Sequence, residues 1–171
     1  KRQDLNWPWS GARLPDGGFL IAERVGRLLQ LGADGELREI AGTPETLFAG
    51  QGGYFDVLPD PGFADNRIIY LSYAEGTEEA NGTAVYRARL ENGRLENGER
   101  ILRVSPDKIT PQHYGGRMLF LPDRSPLVTS GEGVEQREEA QSRESELGKV
   151  LRIETDGRPA GISSRRDGQP T

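Results

Sequence analysis

The residues best suited to chemistry in this 171-residue chain lie in three segments: AGQGGYFDVLPD (49–60), QHYGGRMLF (112–120) and TSGEGVEQREEAQ (129–141). The second holds His113, the only histidine. An imidazole titrates near neutral pH and can take a proton from a hydroxyl as a general base. A carboxylate beside it would orient the ring and hold the charge that develops, and Glu132 is the candidate. Gln51, Gln136 and Gln141 offer neutral donors and acceptors for carbonyl and hydroxyl groups. Arg117 can pair with an acidic group of a ligand. The doublets Gly52-Gly53 and Gly115-Gly116 would let backbone approach a flat ligand, since no Cβ intervenes. Each type also has an ordinary use. A lone loop histidine is often a bystander, doubled glycines make turns, Arg117 can be a strand-end charge, and Glu132 can be one more acid in an acidic loop.

Composition narrows the partners. A net charge of −5 and a pI near 5.1 argue against a nucleic-acid backbone or an anionic membrane as partner. The basic residues are interleaved with acids, as in RARLENGRLENGER (87–100), which reads as a solvated strand surface. Without cysteine there are no disulfides, thiolate metal sites or thiol nucleophiles. No apolar run of 18 residues is present, so no membrane span is expected. Glycine and proline together make about one residue in five, above the usual roughly 12%.

Those residues punctuate a β-rich chain. Asp16-Gly17, Asp34-Gly35, Asn81-Gly82, Asn92-Gly93, Asn97-Gly98 and Asp156-Gly157 read as tight turns. Between them the expected strands are FLIAERV (19–25), GRLLQLG (26–32), RIIYLSYA (67–74), TAVYRARL (83–90), RILRV (100–104), GRMLFL (116–121) and KVLRI (149–153). The one helix candidate, GVEQREEAQSRESELGK (133–149), has too few apolar residues for a buried face and reads as a polar excursion between strands. Asn81-Gly82-Thr83 matches a glycosylation sequon, but a hairpin turn ahead of TAVYRARL is the preferred reading.

An internal repeat organises these pieces. Leu-Pro-Asp followed by a strand occurs from Leu14, Leu58 and Leu121, and each copy leads to a strand that ends in a turn: GRLLQLGADGEL, TAVYRARLENGRL and GKVLRIETDGRP. Four short antiparallel strands per unit describe the blades of a β-propeller, and this chain holds about three. The expected fold is all-β: a partial propeller over 1–159, followed by a polar tail over 160–171. Three blades would leave raw edges, so a piece of a longer protein or a second chain completing the ring is expected.

PWSGARLPDGGFLIAERVGRL, GQGGYFDVLPDPGFADNRIIYLSYA, HYGGRMLFLPD, GE…AQ and LGKVLRIETDG occur in that order. Together, from about Trp7 to Arg158, they resemble the pyrroloquinoline-quinone-dependent soluble aldose sugar dehydrogenases, the glucose/sorbosone dehydrogenase-like family of six-bladed propellers. The resemblance implies oxidation of an aldose at the anomeric C1 hydroxyl to the lactone, with hydride passing to pyrroloquinoline quinone. It implies that His113 takes the hydroxyl proton, that an acid supports it at Glu132, where the family usually has aspartate, and that Gln51 faces the site. Ala140-Gln141 matches the family's Ala-Gln pair, while Gln136 competes with Gln141 as the ligand contact. The family's calcium ions and the basic residues that bind the cofactor's carboxylates belong largely to later blades, so no metal ligand is expected here. An external electron acceptor and a periplasmic or secreted location are implied as well.

The alternative is a catalytically inactive propeller fragment acting as a binding or interaction module. Whether His113 and Glu132 face one another separates the two. A metal-dependent lactonase on a similar propeller would need several convergent acids, which these motifs fit less well.

Overall fold

The structure, a computed structural model, describes residues 5–160. Three antiparallel sheets follow one another along the chain. The first contains β1 (Pro8–Arg13), β2 (Phe19–Glu23), β3 (Arg27–Leu31) and β4 (Leu37–Glu39), paired in that order. The second repeats the meander with β5 (Tyr54–Pro59), β6 (Ile68–Gly76), β7 (Asn81–Glu91) and β8 (Arg94–Arg103). The third has β9 (Gly115–Phe120), β10 (Pro126–Ser130) and β11 (Val150–Arg152), with a bridge between Ile153 and Pro159 where the other sheets have their fourth strand. These are three blades of a β-propeller, and the first strands β1, β5 and β9 run side by side.

The Leu-Pro-Asp repeat is the turn between the first and second strand of every blade. Its aspartate does the same thing three times: a carboxylate oxygen accepts the N–H two residues on. The pairs are Asp16 with Gly18 at 2.9 Å, Asp60 with Gly62 at 2.8 Å, and Asp123 with Ser125 at 3.0 Å. Such a turn is local, so the motif marks it wherever it occurs. In the second blade the connection also holds one turn of helix, α1 (Phe63–Asn66).

Packing follows the two-residue period of the strands. On β6, Ile69, Leu71 and Tyr73 enter the core shared with the first blade, whereas Tyr70 joins Met118, Val128 and Ile153 of the third. The middle blade is therefore covered on both faces, which explains why RIIYLSYA is nearly continuous in apolar residues. A polar seam fixes the start of β9 against it. Asp56 accepts the Met118 N–H at 2.9 Å, the Ser72 hydroxyl donates to the Gly116 carbonyl at 2.5 Å, and the Thr83 hydroxyl donates to the Tyr114 carbonyl at 2.6 Å.

Several local expectations are corrected. Asn81-Gly82 is no turn: Thr77 accepts that role by donating its N–H to Ala80 O at 2.9 Å, and Asn81 is the fully buried first residue of β7. Its side chain is thus out of reach of a glycosyl donor in the folded chain. Asn97-Gly98 lies inside β8 as an irregularity opposite Ala88, whereas Asn92-Gly93, both at positive φ, make the hairpin from β7 to β8. The polar stretch 133–149 is the expected excursion between β10 and β11, with one 3-10 turn at Arg137–Gln141. The expected tail lies, from residue 161 on, outside the described residues. No helix among the described residues is long and apolar enough to cross a membrane.

Candidate active site

The register of one hairpin brings the two proposed proton-handling residues together. In the β9–β10 ladder Gly115 pairs with Ser130. His113 stands two residues before the first of these and Glu132 two after the second, so both project from the same end. His113 Nδ1 lies 2.7 Å from Glu132 Oε1. The imidazole is half exposed and the carboxylate mostly covered, with side-chain exposures of 45% and 21%. The hydrogen bond from His113, together with its charge and nearby backbone N–H groups, holds the Glu132 carboxyl below its ordinary value. An ionised carboxylate only accepts, so Nδ1 carries the proton and the Nε2 lone pair of a neutral ring is free to act as base.

The preceding blade supplies the next contact. The loop before β5 places Gln51 so that its Oε1 accepts the His113 N–H at 2.9 Å. Gln51 N–H in turn donates to Pro111 O at 2.8 Å, which ties the two loops to each other. Beside them is a pocket of about 360 Å³ lined by Trp9, Arg24, Gln51, Phe55, Tyr114 and Gly115. The Phe55 and Tyr114 rings lie 5.0 Å apart on its floor.

The remaining sequence candidates sit elsewhere. Arg117 donates from Nη1 to Asp56 Oδ1 at 3.0 Å, so its charge is engaged by a buried carboxylate across the blade boundary. Gln136 pins another loop: its Oε1 accepts the Ile109 N–H and its Nε2 donates to Asp107 O, both at 3.1 Å. Gln141 is exposed at the end of the 3-10 turn, and neither glutamine lines the pocket beside Gln51. The glycine doublets also read differently. A Cβ on Gly116 would fall 2.5 Å from the Phe55 ring, and one on Gly53 would fall 2.0 Å from Arg24 O. Close protein packing therefore demands these two, and Gly115 as well, for although it borders the pocket its Cβ would fall 2.8 Å from Thr129 O.

Two residues had no signal in the sequence. Arg24, just past β2, lies between Trp7 and Phe48, 5.1 and 5.0 Å from their ring centroids. Its Nε donates to Gly52 O at 2.9 Å and its Nη2 to Gly50 O, bracketing Gln51 on both sides. Lys108 is fully buried beneath the His113 loop, and burial pushes its ammonium down to about 7, with Glu132 favouring the charge and Arg103 opposing it. The partners of both are backbone carbonyls, which leave no mark in a residue pattern. Among the described residues no three His, Cys, Asp or Glu side chains converge as a metal site.

Comparison with known proteins gives a consistent result. The family described as Glucose / Sorbosone dehydrogenase matches residues 5–167. Aldose sugar dehydrogenase YliI of Escherichia coli (strain K12) is 36% identical over 158 residues, covering 90% of this chain and 42% of its own. A crystal structure of glucose dehydrogenase superposes with a TM-score of 0.84 at 41% identity, over 90% of this chain and 46% of that one. The PQQ-bound form of aldose sugar dehydrogenase from Streptomyces coelicolor superposes with a TM-score of 0.80 at 27% identity, over 91% and 47%. The chain spans less than half the length of the curated relatives it matches. With the blade repeat, the His113–Glu132 hairpin and a match running through nearly all of the described residues, the chain belongs to the glucose/sorbosone dehydrogenase family.

Proposed function

We propose that the protein carrying this chain oxidises an aldose at its anomeric C1 hydroxyl to the lactone, using pyrroloquinoline quinone, with His113 as general base. The single observation that carries this reading is the 2.7 Å contact between His113 Nδ1 and Glu132, which leaves Nε2 free. The quinone-bound relative supports the choice of cofactor.

The residues present fit a flat aromatic polycarboxylate on one side. Phe55 and Tyr114 offer an aromatic floor, and Arg24 a cation whose spare N–H groups can meet a carboxylate. When bound, the quinone supplies the hydride acceptor for C1. His113 Nε2 takes the hydroxyl proton as the C1 oxygen becomes a carbonyl, and Glu132 stabilises the imidazolium that results. Gln51 holds the backbone of the base through its Oε1 and keeps its amide N–H groups for an oxygen of sugar or cofactor. The opposite wall, any calcium and the cofactor's main carboxylate anchors would come from further blades, in the same polypeptide or a second chain. An external electron acceptor and a periplasmic or secreted location accompany this reading.

The test is titration with pyrroloquinoline quinone and calcium, followed by aldose oxidation with a dye as acceptor, on the protein and on His113→Ala. Removing a general base is expected to lower turnover by about 10²–10⁴-fold. Undiminished turnover by His113→Ala would sink the assignment of the base.

A further inference from the structure

Lys108 has no part in the proton transfer assigned to His113 and Glu132, yet it is the most deeply placed cation of the site. Its side chain is fully buried. Its backbone is fixed to β7, donating to Asn81 O at 2.7 Å and accepting from the Asn81 N–H at 3.0 Å. Nζ then reaches under the next loop. It donates to Gln112 O at 2.5 Å, lies 3.4 Å from His113 O, and stands 3.1 Å over the centroid of the Tyr114 ring. Three successive residues of the loop, with His113 at their centre, therefore meet one ammonium group.

The geometry of the loop explains why a long side chain carrying N–H donors is needed there. His113 has φ 44°, a left-handed conformation that costs a residue with a Cβ free energy and persists only when its surroundings enforce it. The turn brings the Gln112 and His113 carbonyls towards the buried Lys108 ammonium. An apolar side chain of the same length would fill the space but leave both carbonyls without a donor. Burying an ammonium is costly, so packing alone does not account for a lysine at this position. The charged and titratable groups facing it are Glu132, Arg103 and Tyr114, and its hydrogen bonds go to peptide carbonyls.

We propose that Lys108 is a positioning residue for His113: by clamping the Gln112 and His113 carbonyls from beneath, it holds the strained peptide that aims Nδ1 at Glu132 and Nε2 at the substrate. The proposal deepens the reading of His113 as the base and rests on it for its effect on turnover. Its effect on the imidazole itself does not depend on that reading.

Lys108→Met and Lys108→Gln, made in the protein, separate a clamp from a filler. The readouts are thermal melting, the ring ¹⁵N shifts of His113 (assigned by their loss in His113→Asn), and kcat and KM for an aldose. Met matches the space but has no donor, whereas Gln has an N–H that reaches one carbonyl. A clamp predicts that Met mixes the ring tautomers and lowers kcat by about 10²-fold with little change in KM, while Gln has a smaller effect of about tenfold. A filler predicts the opposite order, since an apolar side chain suits a buried site better than an amide. If Met does not fold, Gln decides alone, and a folded variant with unchanged ring shifts and kcat overturns the proposal. Full oxidation by His113→Ala would remove the base assignment yet leave the shift test of Lys108 intact. Loss of oxidation in His113→Ala with no response to either Lys108 variant would remove the present proposal only.

Discussion

His113 Nδ1 lies 2.7 Å from Glu132 Oε1 because Gly115 and Ser130 are cross-strand partners. Nineteen residues separate the pair in sequence, and one hairpin register closes the gap. Shifting that register by one residue would turn every side chain of β10 to its other face. The contact is therefore as firm as the ladder beneath it.

Glu132→Gln tests the contact electrostatically. It keeps the shape but removes the anion that fixes the Nδ1–H tautomer, so aldose turnover is expected to fall by about 10–100-fold. The carboxyl of Glu132 is held below its ordinary 4.5 in the folded chain. Its stabilising contribution is complete above 4.5 and is lost as the pH falls through the depressed folded value. Melting curves from neutral to acid pH should show the gap between the protein and Glu132→Gln narrowing on that acid limb. A gap that stays constant to low pH would mean that the pair contributes no such linkage.

Lys108 predicts a rise of stability with pH in a second window, on the alkaline side. Its folded value is depressed to about 7 from 10.5, so between those values the unfolded chain binds the extra proton. Stability contributed by this group rises with pH across that window and is lowest below it. The melting temperature of the protein should carry this rise, and Lys108→Met should flatten it. An unchanged slope would show that Lys108 titrates normally in the fold.

Asp56 tests the seam between the second and third blades. It accepts from Arg117 Nη1 at 3.0 Å, Met118 N at 2.9 Å and Val57 N at 3.1 Å. Asp56→Ala leaves the Met118 N–H and the Arg117 guanidinium without this acceptor, while the Val57 N–H keeps Ser10 Oγ at 3.1 Å, and should cost about 3 kcal/mol in urea unfolding. Arg117→Met should cost no more than about 1 kcal/mol, because that side chain is 62% exposed and its charge is screened. Equal losses would mean that the ion pair, rather than the backbone contacts, holds the seam.

Gly116→Ala tests the packing reading of the glycine doublet. The added methyl would stand 2.5 Å from the Phe55 ring on a residue at φ 86°, and a loss of about 3 kcal/mol is expected from crowding and conformation together. Gly35, at φ 79° with nothing within 4 Å of its Cβ position, isolates the conformational part. Gly35→Ala should cost about 1 kcal/mol. Similar losses at the two sites would remove Phe55 from the explanation.

What the sequence determined by itself was the local and repetitive part of this protein. The blade repeat was legible because each Leu-Pro-Asp turn is closed by its own aspartate two residues along. Strand positions followed because short apolar runs between turn residues need no distant partner to be recognised. His113 and Glu132 stood out by chemical type. Asn81-Gly82 misled because a turn dipeptide is only a preference, and pairing of Asn81 with Gly76 and Lys108 overrode it. The tertiary structure alone decided which candidates meet. Blade packing committed Arg117 to Asp56, spent Gly116 on Phe55, turned Gln136 to the Asp107–Ile109 backbone, and brought Arg24 and Lys108 beneath the loops that carry Gln51 and His113. Apart from the Arg117–Asp56 ion pair, those contacts join side chains to the backbone of other segments. A peptide carbonyl is the same at every position, so only the folded arrangement can say which one a buried cation will find.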